Sequence, residues 1–454
     1  MSHPMFTYDA ELANEILEFC RRRLALAPVP LDFGSLQSTD MQGLRALISS
    51  TGTPGADVLA FFEAEIAPAV VSADSPQFLA FIPNAPTKAS LLFDMVVACS
   101  GLNGTSWLES AGAVRAENEA LRFLAERAGL PERAGGVFVS GGTMGNLSAL
   151  TVGRDVGRQR RSHVAPHELR FAVSSDAHSS VAAALHILGI SALIVPTDDH
   201  RLTAAHLEAA LASDPHRETV IGVIATCGTT NAGIIDDLEG VGTLCRQRNL
   251  WFHVDGAYGG GALFSRRHEE TLRGLRHADS FIVDPHKWLF APLDCAALLY
   301  RDPELARTVH TQHAGYLDIL HHAASEAWNP SDYAIHLSRR PRGLSFWFSL
   351  ATYGVTHYET AVTAAIDTAH AAAALIRSSE HLELIREPEL SVVLFRRIGW
   401  TSADYDQWAL QLLRDQVAFV APSTWEGESV ARLAFLHPDT TLDLVAEIIE
   451  SMNF

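Results

Sequence analysis

Short apolar runs alternate with longer helical stretches through the middle of this chain. Strand-like runs fall at 136–140, 169–173, 192–195, 220–226, 251–254, 280–283 and 296–300, and helical spacing fills the gaps between them. Strands alternating with helices predict a mostly parallel, buried sheet in a large domain over 88–340. Ligands of such sheets bind outside the carboxyl ends of the strands. Ahead of it, residues 8–27 carry Leu12, Ile16, Phe19 and Leu24 on one helical face, and Pro28 and Pro30 end that helix. A second helix is expected over 56–70, and 77–86 reads as a strand and then a loop broken by Pro83 and Pro86. These elements make an N-terminal helical segment over 1–87. Residues 305–330 hold few periodic apolars and many histidines, the pattern of a mobile loop. A helix over 342–379 follows, and strands at 390–396 and 432–435 mix with helices in a small α+β domain over 341–454.

Composition narrows the function classes. A chain of 454 residues exceeds one small core, and 48% hydrophobic content is that of a globular protein. The net charge of −19 is spread along the chain, which argues against a nucleic-acid partner, since phosphates need a basic surface. Cys20, Cys99, Cys227, Cys245 and Cys295 show no C-x-x-C spacing, so reduced thiols and a cytoplasmic setting are expected. Asp9, Glu11, Glu15 and Glu18 leave no apolar signal core near the start. The longest apolar stretch, 181–196, carries His186 and is too short to span a bilayer, so no membrane partner is expected.

The candidate chemistry gathers at predicted strand ends. In Ser280-Phe-Ile-Val-Asp-Pro-His-Lys-Trp288, Pro285 ends a buried strand and leaves Lys287 between His286 and Trp288. A lone lysine among apolar and aromatic neighbours loses hydration, and its amine suits a Schiff base with an aldehyde cofactor; an ordinary surface lysine is the competing reading. Gly141-Gly142-Thr143-Met-Gly145-Asn146 follows a strand and opens a helix, which suits a phosphate, although it also reads as a plain tight turn. Asp255 ends the strand Trp251-Phe-His-Val-Asp255 and could pair with a protonated ring nitrogen or merely cap a helix, while Ala257 leaves room for a flat ring. His178 follows another strand and could lie over a planar cofactor, with Ser179 and Ser180 capping the helix after it. Thr226-Cys-Gly228-Thr229-Thr230 puts hydroxyls at the same edge.

Together, Asp176-Ala-His-Ser-Ser-Val181, His253-Val-Asp-Gly-Ala-Tyr258 and Asp284-Pro-His-Lys-Trp288 resemble the pyridoxal-phosphate-dependent group II amino-acid decarboxylases, the family of the aromatic L-amino-acid decarboxylases. The resemblance implies an α/β fold of the aspartate-aminotransferase type (fold-type I) and a homodimer with its active sites at the interface. It implies that Lys287 carries the cofactor, Asp255 holds the pyridine nitrogen, and His178 stacks on the ring and orients the substrate carboxylate. Gly142, Thr143 and His286 fall where the family holds the phosphate, and Thr230 and Asp236 match positions lining the cofactor. Tyr316, in His313-Ala-Gly-Tyr316-Leu317, matches a lid tyrosine taken to protonate the substrate carbon after carbon dioxide leaves; related aldehyde synthases carry phenylalanine there. Phe81 and Pro83 fall on the family's substrate wall.

Two positions depart from the family. Asp284 stands where asparagine is common, and Thr105 replaces a bulky aromatic. The expected reaction is decarboxylation of an aromatic L-amino acid. The alternatives are an acidic or aliphatic substrate, for which Arg432 could bind a distal carboxylate although it reads better as a structural arginine, and an aldehyde synthase or aminotransferase on the same fold. A cofactor-binding protein with a dead site ranks last. His310, His313, His321 and His322 lack metal-ligand spacing, so no metal is expected and they read as solvated loop histidines.

Overall fold

The computed structural model describes residues 3–322 and 328–453. Its central element is a seven-stranded sheet: β1 (Gly135–Val139), β2 (Arg170–Ser174), β3 (Ser191–Val195), β4 (Val220–Thr226), β5 (Trp251–Asp255), β6 (Ser280–Val283) and β7 (Ala296–Tyr300). Their spatial order is β1-β7-β6-β5-β4-β2-β3. β7 runs antiparallel to both β1 and β6, and the remaining neighbours are parallel. Every residue of β4 to β7 is buried, which is why these segments are continuous apolar runs rather than alternating ones.

Helix Gly142–Arg160 crosses the sheet closely enough to exclude larger residues. A Cβ at Gly145 would come within 2.3 Å of Ile282 Cδ1, so glycine lets this helix lie on β6 with its first turn at the strand ends. The N-terminus of that helix, the helix Ser179–Leu188 after β2, and the short helix Pro285–Trp288 after β6 all meet at the carboxyl edge of the sheet. Because β7 is antiparallel, its first residues return to the same edge.

A second sheet, of β8 (Leu382–Leu384), β9 (Val392–Arg397), β10 (Ser423–Trp425) and β11 (Glu428–Ala434), is antiparallel in the order β10-β11-β9-β8. Ala369, Ala373 and Ile376 pack it against Trp408 and Ile448. The helix Gly343–Ser378 serves both sheets: Phe346 meets Phe138 of β1 edge-on, whereas its last turns join the second core. It kinks at Gly354, whose φ of +73° suits glycine. The sequence-based boundary at 341 therefore falls ahead of a helix shared by the two cores.

Three expected elements differ. Residues 77–86 form no strand: Phe78 makes a single bridge to Phe419, and Phe81 sits at φ +54°. The helix beginning at Gly55 gives way to a π-turn over Phe62–Ile66 and a 3₁₀ turn over Ala67–Ala69, where Pro68 ends regular bonding. Within the expected loop 305–330, Pro303–His310 is helical, with Pro303 in its first turn, and Asp318–His322 adds a short helix. The remainder of that expected loop at 323–327 lies outside the described residues.

Candidate active site

A cavity of about 200 Å³ opens at the carboxyl edge of the large sheet, lined among others by Gly142, Thr143, His178, Thr230, Asp255, Ala257, His286 and Lys287. Eight of the nine residues expected at a cofactor thus line one cavity. They arrive from the ends of β1, β2, β4, β5 and β6, as expected of a mostly parallel sheet.

The ninth, Asp236, is set behind the wall. It is 2% exposed, and its two oxygens accept the amides of Leu202 and Thr226, each at 2.7 Å. Burial pushes its carboxyl up to about 7 against those hydrogen bonds. Asp236 braces the end of β4 rather than facing the cavity. Gly228, at φ +86° and packed on Gly259, turns the chain so that Thr230 does face it.

The chain contains only two lysines, Lys88 and Lys287. Lys88 starts a helix beside a different cleft, which leaves Lys287 as the amine of the cavity. Its Nζ lies 3.1 Å from Asp284 Oδ2. That oxygen also accepts the Gly142 amide at 3.1 Å and faces His286 Nε2 at 3.5 Å. The departure at Asp284 is thus a paired carboxylate. Its Oδ1 is buried without a hydrogen-bond partner.

His286 Nδ1 accepts the Cys295 amide at 2.9 Å, so the antiparallel β7 fixes the ring with its proton on Nε2. Burial depresses the His286 imidazolium, with Asp284 opposing. His178, rather than Ser179 or Ser180, caps its helix: Nδ1 accepts the Ser180 amide at 3.2 Å.

Asp255 Oδ2 accepts from Asn146 Nδ2 at 2.8 Å, and Oδ1 accepts the Ala257 amide at 3.1 Å. A carboxylate has roughly four acceptor positions, so Asp255 retains capacity for a further N–H from the cavity. These groups suit an aldehyde cofactor bearing a basic ring nitrogen and an anionic group: an amine, a carboxylate with acceptor capacity, and a helix N-terminus beside a hydroxyl.

Other expected site residues stand apart from the cavity. Tyr316 is 75% exposed and does not line it. Phe81 is 60% exposed, 6.1 Å from the ring of Phe419, while Pro83 is buried. Thr105 is buried instead, its hydroxyl 2.6 Å from the side-chain Oδ1 of Asn103 and 3.1 Å from Leu337 O. Arg432 donates to Asn231 O, Phe81 O and Thr230 O at 3.2, 2.7 and 2.5 Å. His310 is a buried histidine donating to Ser148 O at 3.2 Å, not a solvated one. The side chains of His321 and His322 lie outside the described residues. Among the described residues, no group of three or more His, Cys, Asp or Glu is placed to hold a metal.

The sequence places Asn146 and His253 inside motifs but assigns them no role; Asn146 lines the cavity, and His253 is fully buried behind it. Sequence reading passed over the lysine scarcity, the one compositional signal that singles out Lys287.

A mostly parallel sheet with these residues at its carboxyl edge defines a cofactor enzyme of the fold-type I class. The model of the pyridoxal-dependent decarboxylase conserved domain matches residues 41–398. The chain belongs to that family: it is a carboxy-lyase whose cofactor is pyridoxal phosphate. It is 29% identical to an aromatic-L-amino-acid decarboxylase of Bacillus atrophaeus, over 88% of this chain and 85% of that one. It is 30% identical to an L-2,4-diaminobutyrate decarboxylase of Rhizobium meliloti, over 91% and 86% of the two chains. The fold matches the crystal structure of Oryza sativa TDC with PLP and tryptamine at a TM-score of 0.90, with 23% identity over 100% and 99% of the two chains.

Proposed function

We propose that this chain decarboxylates an aromatic L-amino acid to its amine and carbon dioxide. The observation that carries the choice of substrate is Arg432. Each of its three nitrogens donates to a backbone carbonyl, and it is 5% exposed, so it is tied to the backbone rather than presented to a distal carboxylate. Phe81, exposed beside Phe419 and outside the cavity, is an aromatic face that this reading would bring against the substrate side chain.

When bound, pyridoxal phosphate supplies an electron sink for the pair left behind by departing carbon dioxide. Lys287 would hold it through Nζ, and Asp255 would accept the ring N–H. Gly142, Thr143 and His286 would hold its phosphate, and His178, Ala257 and Thr230 would border the rest. His178 Nε2 donates to the substrate carboxylate and orients it. Tyr316 Oη delivers a proton to the substrate α-carbon, which requires its loop to close over the cavity. That closure also excludes water.

We infer that the working unit is a homodimer. The helix Ala10–Ala25 buries no residue, and Ile16, Leu17, Leu92, Val96 and Leu108 are exposed apolar side chains that a second copy would cover. A cytoplasmic setting remains the reading that five free cysteines support. Among the described residues, no helix is long and apolar enough to cross a membrane.

The test is carbon-dioxide release from a panel of L-amino acids (aromatic, acidic, aliphatic and diamino), with Tyr316→Phe alongside. One amine per carbon dioxide from an aromatic member, shifting in the variant toward aldehyde and oxygen uptake, is expected. Release confined to acidic, aliphatic or diamino members overturns the aromatic reading.

A further inference from the structure

A continuous hydrogen-bonded chain joins the two residues proposed to border the cofactor ring, and Asn146 is its branch point. Asn146 Nδ2 donates to Asp255 Oδ2 at 2.8 Å and to Ser180 Oγ at 3.0 Å. Asn146 Oδ1 lies 2.9 Å from His253 Nε2. His253 Nδ1 is 2.8 Å from Ser280 Oγ, which also accepts the Trp251 indole N–H at 3.0 Å. On the other arm, Ser180 Oγ is 2.8 Å from His178 Nδ1. Asn146 is 1% exposed, His253 0%, Ser280 1% and Ser180 5%.

The proton positions follow from these partners. Reversing the Asn146 amide would set its oxygen against the Asp255 carboxylate, acceptor on acceptor. With the amide as it stands, Oδ1 can only accept, so His253 carries its proton on Nε2. Burial depresses His253 to about 4, against the pull of Asp255, so it is neutral and its Nδ1 accepts the Ser280 hydroxyl. Ser180 Oγ already accepts from Asn146, which turns its hydroxyl hydrogen toward His178 Nδ1. The Ser180 amide donates to the same nitrogen. Two donors on Nδ1 leave the His178 proton on Nε2.

We propose that Asn146 is a positioning residue that fixes the His178 tautomer through Ser180 while its second amide hydrogen orients Asp255. His253 locks the amide from behind. One buried side chain thereby sets both the Nε2 donor offered to a substrate carboxylate and the acceptor offered to a ring N–H. Partners one step behind a site commonly change function by about 10–100-fold when removed. The proposal rests on the roles given above to His178 and Asp255.

The experiment is nitrogen NMR of histidine-labelled, pyridoxal-phosphate-loaded protein, with the His178 signals assigned through His178→Gln and those of His253 through His253→Gln. The wild type is expected to show the Nε2–H tautomer at both histidines. Ser180→Ala removes the hydroxyl but keeps the backbone amide on Nδ1, so it should move His178 part of the way toward a tautomer mixture and leave His253 unchanged, whereas Asn146→Ala should move both. Turnover should fall about 10–100-fold in kcat in both variants with little change in KM, the double variant should lose no more than the worse single one, and Ser180→Thr should restore the His178 signal. An unchanged His178 signal in folded Ser180→Ala overturns the proposal, and this variant decides alone if Asn146→Ala does not fold. A kcat loss without a tautomer change likewise overturns it. The tautomer is read without turnover, so an inactive wild type with these shifts intact would sink the decarboxylation reading and leave this one standing.

Discussion

Asp284 holds Lys287 across the mouth of the phosphate turn, with Oδ2 3.1 Å from Nζ and 3.1 Å from the Gly142 amide. The carboxylate therefore occupies an amide that a bound phosphate would use, and places a negative charge beside it. Asp284→Asn keeps an acceptor for Gly142 and removes the charge. Pyridoxal phosphate should bind about threefold to tenfold tighter in the variant, corresponding to roughly 1 kcal/mol of relieved repulsion. Equilibrium dialysis measures this, and weaker binding would show that the Asp284–Lys287 pair organises the site instead.

His200 links the loop before the cavity to the second sheet. Its Nδ1 lies 3.0 Å from Asp176 Oδ1 and its Nε2 3.1 Å from Glu426 Oε1, with the ring 4.1 Å from that of Trp425. Burial alone would depress the imidazolium, but the hydrogen bonds to Glu426 and Asp176 outweigh it and raise it above its usual 6.5. The proton is thus held more tightly in the folded state. The stabilisation is complete below the unfolded value and fades as pH rises through the folded one. His200→Gln should lower Tm more at about pH 5.5 than at about pH 8.5. An equal loss at both would remove the charge from the explanation.

Glu117 and Arg339 form an ion pair with side chains 3% and 0% exposed, joined by two contacts of 2.7 Å. Arg339 also donates to Gly104 O, and Glu117 accepts the Gly343 amide, so the pair ties the residues before the long helix to the helix Trp107–Arg127. Arg339→Met leaves a buried carboxylate without its cation and should cost about 3–5 kcal/mol in chemical denaturation. Adding Glu117→Met should recover part of that, but not all, because the Gly343 N–H then lacks its acceptor.

The strands were readable where burial is complete. β4, β6 and β7 coincide with the sequence-based runs because strands buried on both faces leave uninterrupted apolar stretches between glycine and proline breaks. The same logic failed at 77–86, where Phe78, Leu79 and Phe81 look like a strand but pack against Phe419 and the second core. It also missed the helix Pro303–His310, which is only eight residues long and whose apolar face is just Leu305, Ala306 and Val309 behind the Asp302-Pro303 start. Lys287, Asp255 and His178 could be picked out because each lies at or just beyond the end of a strand. Asn146 could not: it sits inside a glycine-rich helix start, and its importance comes from Ser180, His253 and Asp255, all remote in sequence.

With two lysines in the chain, the attachment site can be tested almost without ambiguity. The protein loaded with pyridoxal phosphate is reduced with borohydride, and the modified residue is located by peptide mass mapping, in the wild type and in Lys287→Ala. One pyridoxyl group per chain, on Lys287, and loss of both the label and carbon-dioxide release in the variant are the expected result. A label on Lys88 or the terminal amine with Lys287 unmodified, or undiminished carbon-dioxide release from Lys287→Ala, would contradict the assignment of this cavity as the active site.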